Sequence, residues 1–289
     1  MPPDETLIAD CAAEAHRIAP NLCGTDPETG ESCAWYHGFW PYLRALGIVT
    51  TPDTHRAFYD ESLRTLARQP GFRRVLISGS ADFNMLEQVY AAFDAADATP
   101  EVVFVDRCPT PVALAEWYAR RFNRTVEARA SDILTFRDKP FDIICTHSFM
   151  GYFTDDARQT LAATWASLLR PGGKVVTINR IRPDATGVMG FTPEQAEQFA
   201  EKARSAALSC ATPLNIGVDE IARAAQLYGQ KFRIRPVQSI KILGNFFEAN
   251  GFSINLMDGM LVPGHEGRRG TGPTTPAGAT YVHMIATRR

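Results

Sequence analysis

A short turn and one acidic residue occupy positions at which this chain could bind a nucleoside. The turn from Ser78 to Asp82 follows an apolar run, Val75 to Ile77, and a second apolar run, Val102 to Val105, ends directly in Asp106. The apolar residues between the two runs have helical spacing. In such a β–turn–α–β unit, the turn and the helix N-terminus face a polar or anionic group, and the carboxylate binds ribose hydroxyls. The pattern therefore predicts a nucleoside site beside Gly79 and Asp106.

A histidine lies where a further predicted strand ends. The apolar run Phe141–Cys145 leads into Thr146 and His147. Open α/β sheets bind their ligands at the carboxyl ends of the strands, and the pKa of histidine lies near neutrality. His147 is therefore a candidate general base, and the alternative is a histidine with only a structural role.

The elements that would position these residues alternate regularly between Arg73 and Asn179. The pattern predicts five strands and the helices that connect them, which indicates a mainly parallel sheet covered on both faces. The predicted strands are Arg73–Gly79, Glu101–Asp106, Thr125–Ala130, Phe141–Cys145 and Lys174–Asn179. The last of them is expected to follow a break at Arg170-Pro171-Gly172-Gly173. Two final strands, Ser253–Val262 and Thr280–Thr287, have no helix between them and should form an antiparallel pair.

Helical segments extend this α/β core on both sides. Residues 1–70 are predicted to form a helical N-terminal cap, in which the first helix ends before Pro20 and one helix covers Cys33–Ile48. Residues 71–289 would form the nucleoside-binding domain, with a helical lid inserted at about 182–235. The Gly/Pro-rich stretch 263–278 is expected to be a mobile loop.

Composition limits the kind of protein and its partners. The net charge of −2 gives no general electrostatic reason to expect nucleic acid or an anionic membrane as a partner. No apolar run approaches the roughly 20 residues of a membrane helix, and the acidic N-terminus does not resemble a signal peptide. The six cysteines are scattered without a CxxC pair and the histidines lack HxxxH spacing. We therefore expect reduced thiols, no metal and a cytoplasmic protein, with a Cys23–Cys33 disulfide as the alternative.

The order of elements resembles that of class I S-adenosylmethionine-dependent methyltransferases. The resemblance is carried by the turn Ser78–Asp82, by Asp106, by Ser131-Asp132-Ile133, and by Leu168-Leu169-Arg170-Pro171-Gly172-Gly173, which matches the LLxPGG turn of that family. It covers residues 73–181 well and residues 237–289 by pattern only. It implies an α/β fold with a seven-stranded, mainly parallel sheet, an antiparallel C-terminal hairpin, and helices on both faces.

The resemblance also implies a cofactor and roles for particular residues. S-adenosylmethionine contains no pyrophosphate, which agrees with a turn that has only one glycine, because several glycines serve close approach to a pyrophosphate. Asp106 would bind the ribose and Asp132 the adenine side. The full set of expected cofactor-binding residues is Gly79, Ser80, Ala81, Asp82, Asp106, Arg107, Asp132, Ile133 and Ser148. Independently of the resemblance, Tyr36 or Trp35 in the aromatic N-terminal segment would face the sulfonium, because aromatic faces attract cations, although these aromatics could equally pack the helix; Tyr36 and His147 are the expected catalytic residues.

The function that follows is methyl transfer to oxygen or nitrogen of a small organic acceptor by in-line displacement. We expect no nucleic-acid or membrane partner, and a homodimer is compatible with the sequence. One alternative is an enzyme of the same fold that attacks another carbon of the sulfonium and releases methylthioadenosine by aminocarboxypropyl transfer or cyclisation. Another is a binding protein without catalysis, and an NAD(P) oxidoreductase ranks last because a single glycine is a poor GxGxxG motif.

Overall fold

A twisted sheet forms the centre of the computed structural model, which describes residues 4–25, 30–183, 185, 187–263 and 278–289. Within those ranges the sheet has seven strands in the order β3-β2-β1-β4-β5-β7-β6. The strands are β1 (Arg74–Ser78), β2 (Glu101–Asp106), β3 (Val126–Ala130), β4 (Phe141–His147), β5 (Leu169–Ile181), β6 (Phe252–Pro263) and β7 (Gly278–Arg288).

Ten α-helices surround this sheet in the described part of the chain. They are α1 (Glu5–Leu22), α2 (Ala34–His37), α3 (Trp40–Ala45), α4 (Arg56–Ala67), α5 (Asn84–Asp94), α6 (Pro109–Arg121), α7 (Asp155–Leu168), α8 (Pro193–Leu208), α9 (Val218–Lys231) and α10 (Ile240–Ala249). A short 3₁₀ helix, Pro52–His55, precedes α4. None of the helices in these ranges is both long enough and apolar enough to cross a membrane.

The strand pairing confirms the predicted sheet. Strands β1 to β5 pair in parallel, whereas β7 pairs antiparallel with both β5 and β6. Strand residues such as Val75, Leu76 and Ile77 are fully buried because helices cover both faces. Ile77 packs in a core with α1, α4, α5 and α6, whereas Leu76 packs in a second core with α7 and α10.

Three predicted boundaries were wrong. Helix α1 continues through Pro20 to Leu22, although proline removes one i→i−4 hydrogen bond, and the N–H of Cys23 still donates to Ala19 O at 2.9 Å. The predicted helix over Cys33–Ile48 is two short helices, α2 and α3, separated at Gly38 and Phe39. The predicted break at Arg170–Gly173 lies inside β5, because Leu169 already pairs with Phe141 and Gly172 adopts a φ of 79° in the irregular region that follows.

The N-terminal helices and the insertion share a third apolar core. Tyr42 and Leu43 of α3 are fully buried against Phe199 of α8 and Ile221 and Tyr228 of α9. Helix α4, by contrast, packs into the main core with α5. The proposed division at residue 70 and the lid at 182–235 stay predictions, and the expected mobile loop 263–278 lies almost wholly outside the described residues.

Candidate cofactor and acceptor site

A cavity of about 800 Å³ opens at the carboxyl edge of β1, β2 and β4. This edge is where the strand order reverses, between β1 and β4, and ligands of open α/β sheets bind at such a point. Every candidate site residue of the sequence analysis lines the cavity: Tyr36, Gly79, Ser80, Ala81, Asp82, Asp106, Arg107, Asp132, Ile133, His147 and Ser148. The fold therefore brings the whole predicted set together.

Gly79 ends the first strand in a conformation that favours glycine. Its φ is 72°, and its N–H donates to the carbonyl oxygen of Val105 at 2.9 Å. A Cβ placed on Gly79 would lie 2.3 Å from the ring of Phe149, which follows β4. Both the left-handed backbone and the close ring therefore require glycine at this turn.

The carboxylate of Asp106 is held at the cavity wall by two backbone donors. Cys108 N–H donates to Oδ1 at 2.8 Å, and Ser80 N–H donates to Oδ2 at 3.3 Å. Burial raises the pKa of Asp106 to about 6, although nearby His37 favours its ionised form. Since each carboxylate oxygen has a second lone pair, Asp106 can also accept hydrogen bonds from a vicinal diol.

Asp82 lines the cavity but is already bonded on both oxygens. Its Oδ1 accepts from Asn84 N–H at 2.7 Å, and its Oδ2 accepts from Arg44 Nη1 at 3.1 Å. Only 2% of Asp82 is exposed. The side chain therefore holds the turn after β1 against α3, whatever it also contributes to a ligand.

Asp132 and Ile133 lie on the opposite wall, after β3. Asp132 Oδ1 accepts from Leu134 N–H at 2.9 Å, which leaves Oδ2 without a hydrogen-bond partner among the described residues. Ile133 is buried in the sheet core and also lines the cavity. An acid beside an apolar side chain suits a flat heterocycle with an exocyclic amine.

His147 ends β4 and Ser148 follows it, and both line the cavity. Tyr59 donates its hydroxyl hydrogen to Thr146 O at 2.9 Å, so its oxygen accepts from His147 Nδ1 at 3.2 Å. That hydrogen bond leaves Nε2 of His147 unprotonated, and Nε2 has no hydrogen-bond partner among the described residues. Burial, with His55 and His283 nearby, lowers the pKa of His147, so the ring is neutral at pH 7. Ser148 adopts a φ of 50°, which is rare for a non-glycine residue.

Aromatic rings from the N-terminal segment form the roof. Tyr36 stacks on Trp40 and on Tyr228, with ring centroids 5.6 and 5.9 Å apart. The hydroxyl groups of Tyr36 and Tyr152 lie 3.0 Å apart. Tyr36 thus connects α2 with the insertion and with the segment after β4.

The sequence analysis missed several residues of the lining, among them Arg44, Phe149 and Tyr152. Phe149 and Tyr152 come shortly after His147 in the sequence. Both could therefore have been predicted as lining residues from their position after the end of the strand. Arg44 gave a weaker signal, as a single cation between apolar residues of an aromatic-rich helix. Its partners become visible only in the fold.

Comparisons with known proteins agree with this architecture. Residues 88–173 match the family model described as a methyltransferase domain. A solved S-adenosylmethionine-dependent methyltransferase from Methanosarcina mazei has a TM-score of 0.50 at 13% identity, covering 83% of this chain and 99% of that chain. Magnesium protoporphyrin IX methyltransferase from Synechocystis PCC 6803 has a TM-score of 0.49 at 11% identity, covering 86% of this chain and 94% of that chain. No curated protein sequence matches the chain.

The reversed C-terminal hairpin on a mainly parallel sheet, with its cavity at the switch point, defines an open α/β fold whose site has the position at which such folds bind nucleosides. Residues 88–173 within that fold match a methyltransferase domain, and this match supports a class I S-adenosylmethionine-dependent methyltransferase. The sequence-based predictions of family, fold, enzyme class and cofactor are thereby confirmed.

Proposed function

We propose that the enzyme transfers the methyl group of S-adenosylmethionine to an oxygen or nitrogen atom of a small organic acceptor. The observation that carries this proposal is the cavity of about 800 Å³, which residues of this one chain enclose at the sheet edge. Small-molecule sites occupy roughly 300–1,000 Å³, so this cavity has room for the cofactor and a small acceptor together. Its aromatic roof would exclude water from the transferring methyl group.

The cofactor would lie across the sheet edge in an orientation that the side chains suggest. Asp106 would accept hydrogen bonds from the ribose hydroxyls, with Arg107 beside it, and Asp132 and Ile133 would hold the adenine. The turn Gly79–Asp82 and Ser148 would surround the methionyl end. This orientation directs the sulfonium towards Tyr36, whose ring face would favour the positive charge.

His147 would act as the general base for an acceptor that must lose a proton. Its neutral ring has an unprotonated Nε2, which is buried and has no hydrogen-bond partner among the described residues, while Tyr59 fixes the ring through Nδ1. An amine that is already neutral at the time of attack needs no base, so this role applies to hydroxyl or protonated amino acceptors.

Two arginines suggest that the acceptor carries an acidic group. Arg180 and Arg182 line a side cavity of about 110 Å³ that shares Trp40, Ser148 and Tyr152 with the main cavity. Burial, and then the neighbouring Arg180, lower the pKa of Arg182 to about 10. Guanidinium geometry favours a carboxylate, so these two partly buried groups are positioned to bind an acidic group of the acceptor.

Product analysis tests the proposed reaction. The purified enzyme is incubated with S-adenosylmethionine and panels of small carboxylic acids, and with their methyl esters as controls. We expect acceptor-dependent S-adenosylhomocysteine, and preference for the free acids that is lost in Arg182→Gln. Methylthioadenosine as the product would overturn methyl transfer. Equal turnover of acids and esters would overturn only the acidic acceptor.

The remaining expectations from the sequence stay predictions. They are a cytoplasmic location, the absence of a nucleic-acid partner, and a homodimer. The division into a cap, a binding domain and a lid is likewise part of this proposal.

A further inference from the structure

Three cysteines and one histidine converge beside the nucleoside end of the cavity. Cys23 Sγ lies 3.5 Å from Cys108 Sγ, and Cys33 Sγ lies 3.7 Å from Cys108 Sγ. His37 Nδ1 lies 3.7 Å from Cys23 Sγ. All four donor atoms lie within 4.8 Å of one another.

These distances correspond to the edges of a coordination tetrahedron. Two thiolates bound to Zn²⁺ at about 2.3 Å, with a tetrahedral angle between them, would lie about 3.8 Å apart. A sulfur and an imidazole nitrogen would be separated by slightly less, because the Zn–N bond is about 2.0–2.1 Å. The observed separations of 3.5 and 3.7 Å therefore need only small adjustments to bind the ion.

Local structure brings the four ligands together although they are far apart in the sequence. Cys23 ends α1, Cys33 immediately precedes α2, and His37 is the last residue of α2. A bridge between Thr25 and Ser32 brings together the two segments that carry Cys23 and Cys33. Cys108 comes from the turn between β2 and α6, as the N-cap residue of that helix.

The surroundings also suit a metal–thiolate site. Thr110 is fully buried, and its hydroxyl lies 3.2 Å from Cys23 Sγ, where it can donate to a thiolate. Outer hydrogen bonds of this kind orient metal ligands. A disulfide would use only two of the three sulfurs and would leave the third cysteine and His37 without a role, whereas a tetrahedral ion uses all four donors.

We propose that Cys23, Cys33, His37 and Cys108 form a structural Zn²⁺ site. Cys₃His is a common zinc ligand set, and four protein ligands leave no open position for catalysis. Binding would release the protons of the three thiols, giving a site with three thiolates, a neutral imidazole and a net charge of −1. This proposal departs from the sequence-based expectation of no metal, which considered only short ligand spacings.

The ion would fasten the N-terminal helices to the strand that carries Asp106. Cys108 N–H donates directly to the Asp106 carboxylate, and Tyr36 of the aromatic roof precedes the ligand His37. The site would therefore fix the roof relative to the ribose end of the cavity. It is inferred from the cysteine geometry alone and does not depend on the proposed acceptor or reaction.

Metal content and Co²⁺ spectroscopy of the full-length enzyme test the proposal. After expression with added Zn²⁺ and purification under reducing conditions, we expect one equivalent of zinc. After the zinc is removed by a chelator, one equivalent of Co²⁺ should give the intense visible bands and the sulfur-to-cobalt charge-transfer band of a tetrahedral thiolate site. Less than a tenth of an equivalent of zinc, or only the weak bands of octahedral Co²⁺, would overturn the site.

Variants locate the ion without depending on activity. Cys23→Ser and His37→Ala should each lower zinc content at least fivefold, whereas His37→Cys should retain it as a four-cysteine site. Cys210→Ser is the matched control, since Cys210 is half-buried and lies outside the cluster. Loss of zinc in Cys210→Ser, or full retention in both ligand variants, would overturn the assignment. A Cys23–Cys108 or Cys33–Cys108 disulfide in the zinc-supplemented enzyme would also overturn it.

Discussion

At the level of single residues, the position of Asp106 follows directly from the local sequence. An apolar run predicts the strand, the strand ends at the acid, and the parallel sheet carries that end to the cavity. The position of Gly79 can be predicted in the same way, because its turn lies at the end of the neighbouring strand. Both positions depend on local pattern and on one rule of α/β topology.

Asp106→Ala should weaken the binding of S-adenosylhomocysteine by roughly 1.5–3 kcal/mol, the range for hydrogen bonds to a charged group. That loss corresponds to about a 10- to 150-fold rise in Kd, measured by calorimetry. Glu101→Ala is the control, because Glu101 begins the same strand at the opposite edge of the sheet and is exposed. An unchanged Kd in folded Asp106→Ala would remove Asp106 from the site.

His147→Ala should reduce kcat about 100-fold or more if Nε2 accepts the acceptor's proton, in keeping with the 10²–10⁴-fold range of general-base catalysis. The Kd for S-adenosylhomocysteine should change less than threefold. Steady-state kinetics and calorimetry together separate the two effects. The surface variant His16→Ala serves as the control. Equal losses in turnover and cofactor affinity would show that His147 binds and does not act as a base.

At the level of elements, an ionic cluster connects α3 with the turn after β1. Arg44 is 6% exposed and lies 2.9 Å from Asp53, 3.1 Å from Asp82 and 3.4 Å from Glu87. Burial opposes its charge, but the carboxylates of Asp82, Asp53 and Glu87 outweigh burial and raise the pKa of Arg44. The guanidinium also lies over the Phe83 ring at 4.7 Å. Arg44 thus neutralises acids from three separate segments.

Arg44→Met should lower the free energy of unfolding by about 3–5 kcal/mol, because it leaves buried carboxylates without their cation. Urea denaturation at pH 7.5 provides the measurement. The control is Arg64→Met on α4, whose 3.6 Å pair with Asp60 is more than a third exposed on both sides, so that it should cost at most about 1 kcal/mol. If Arg44→Met lowers the free energy of unfolding by a similarly small amount, the carboxylates are stabilised without Arg44, by solvent or by rearrangement of their surroundings.

The limits of sequence-based prediction are clearest for contacts between elements. Periodicity predicted β2 with its observed bounds, because its pattern is local. The partners of Arg44 could not be predicted, since Asp53, Asp82 and Glu87 come together only after α3 packs on the sheet. The same is true of Cys108, which lies 75 residues after Cys33 and meets it in space. The split between α2 and α3 was missed because apolar residues continue through Gly38.

At the level of the whole molecule, three histidines join distant parts of the chain. His55 precedes α4, His147 ends β4, and His283 lies in β7. Nδ1 of His55 lies 3.0 Å from Nε2 of His283, and the rings of His55 and His147 are 5.6 Å apart. His55 is 2% exposed. Protonation of this group would therefore place charge where the segment before α4, the sheet and the C-terminal hairpin meet.

The histidine cluster should make the fold less stable in mild acid. Burial, and then His283, lower the pKa of His55 to about 3. Burial also lowers the pKa of His147 and of His283, although Asp258 partly offsets the shift at His283. Because the unfolded chain binds protons near pH 6.5 and the folded chain does not, stability is full above pH 6.5. It declines as the pH falls from 6.5 towards 3.

His55→Asn removes one of these titrations while keeping a hydrogen-bonding atom near the position of Nδ1. The single group should account for about 1.4 kcal/mol of the loss in unfolding free energy between pH 7.5 and pH 5.5. Urea denaturation at both pH values should therefore show a smaller pH-dependent loss in His55→Asn than in the unmodified enzyme. His16→Asn is the control for a histidine substitution outside the cluster, because His16 is about half exposed. If the unmodified enzyme and His55→Asn show equal pH dependence, His55 binds its proton equally well in the folded and the unfolded chain. Burial would then not keep His55 neutral.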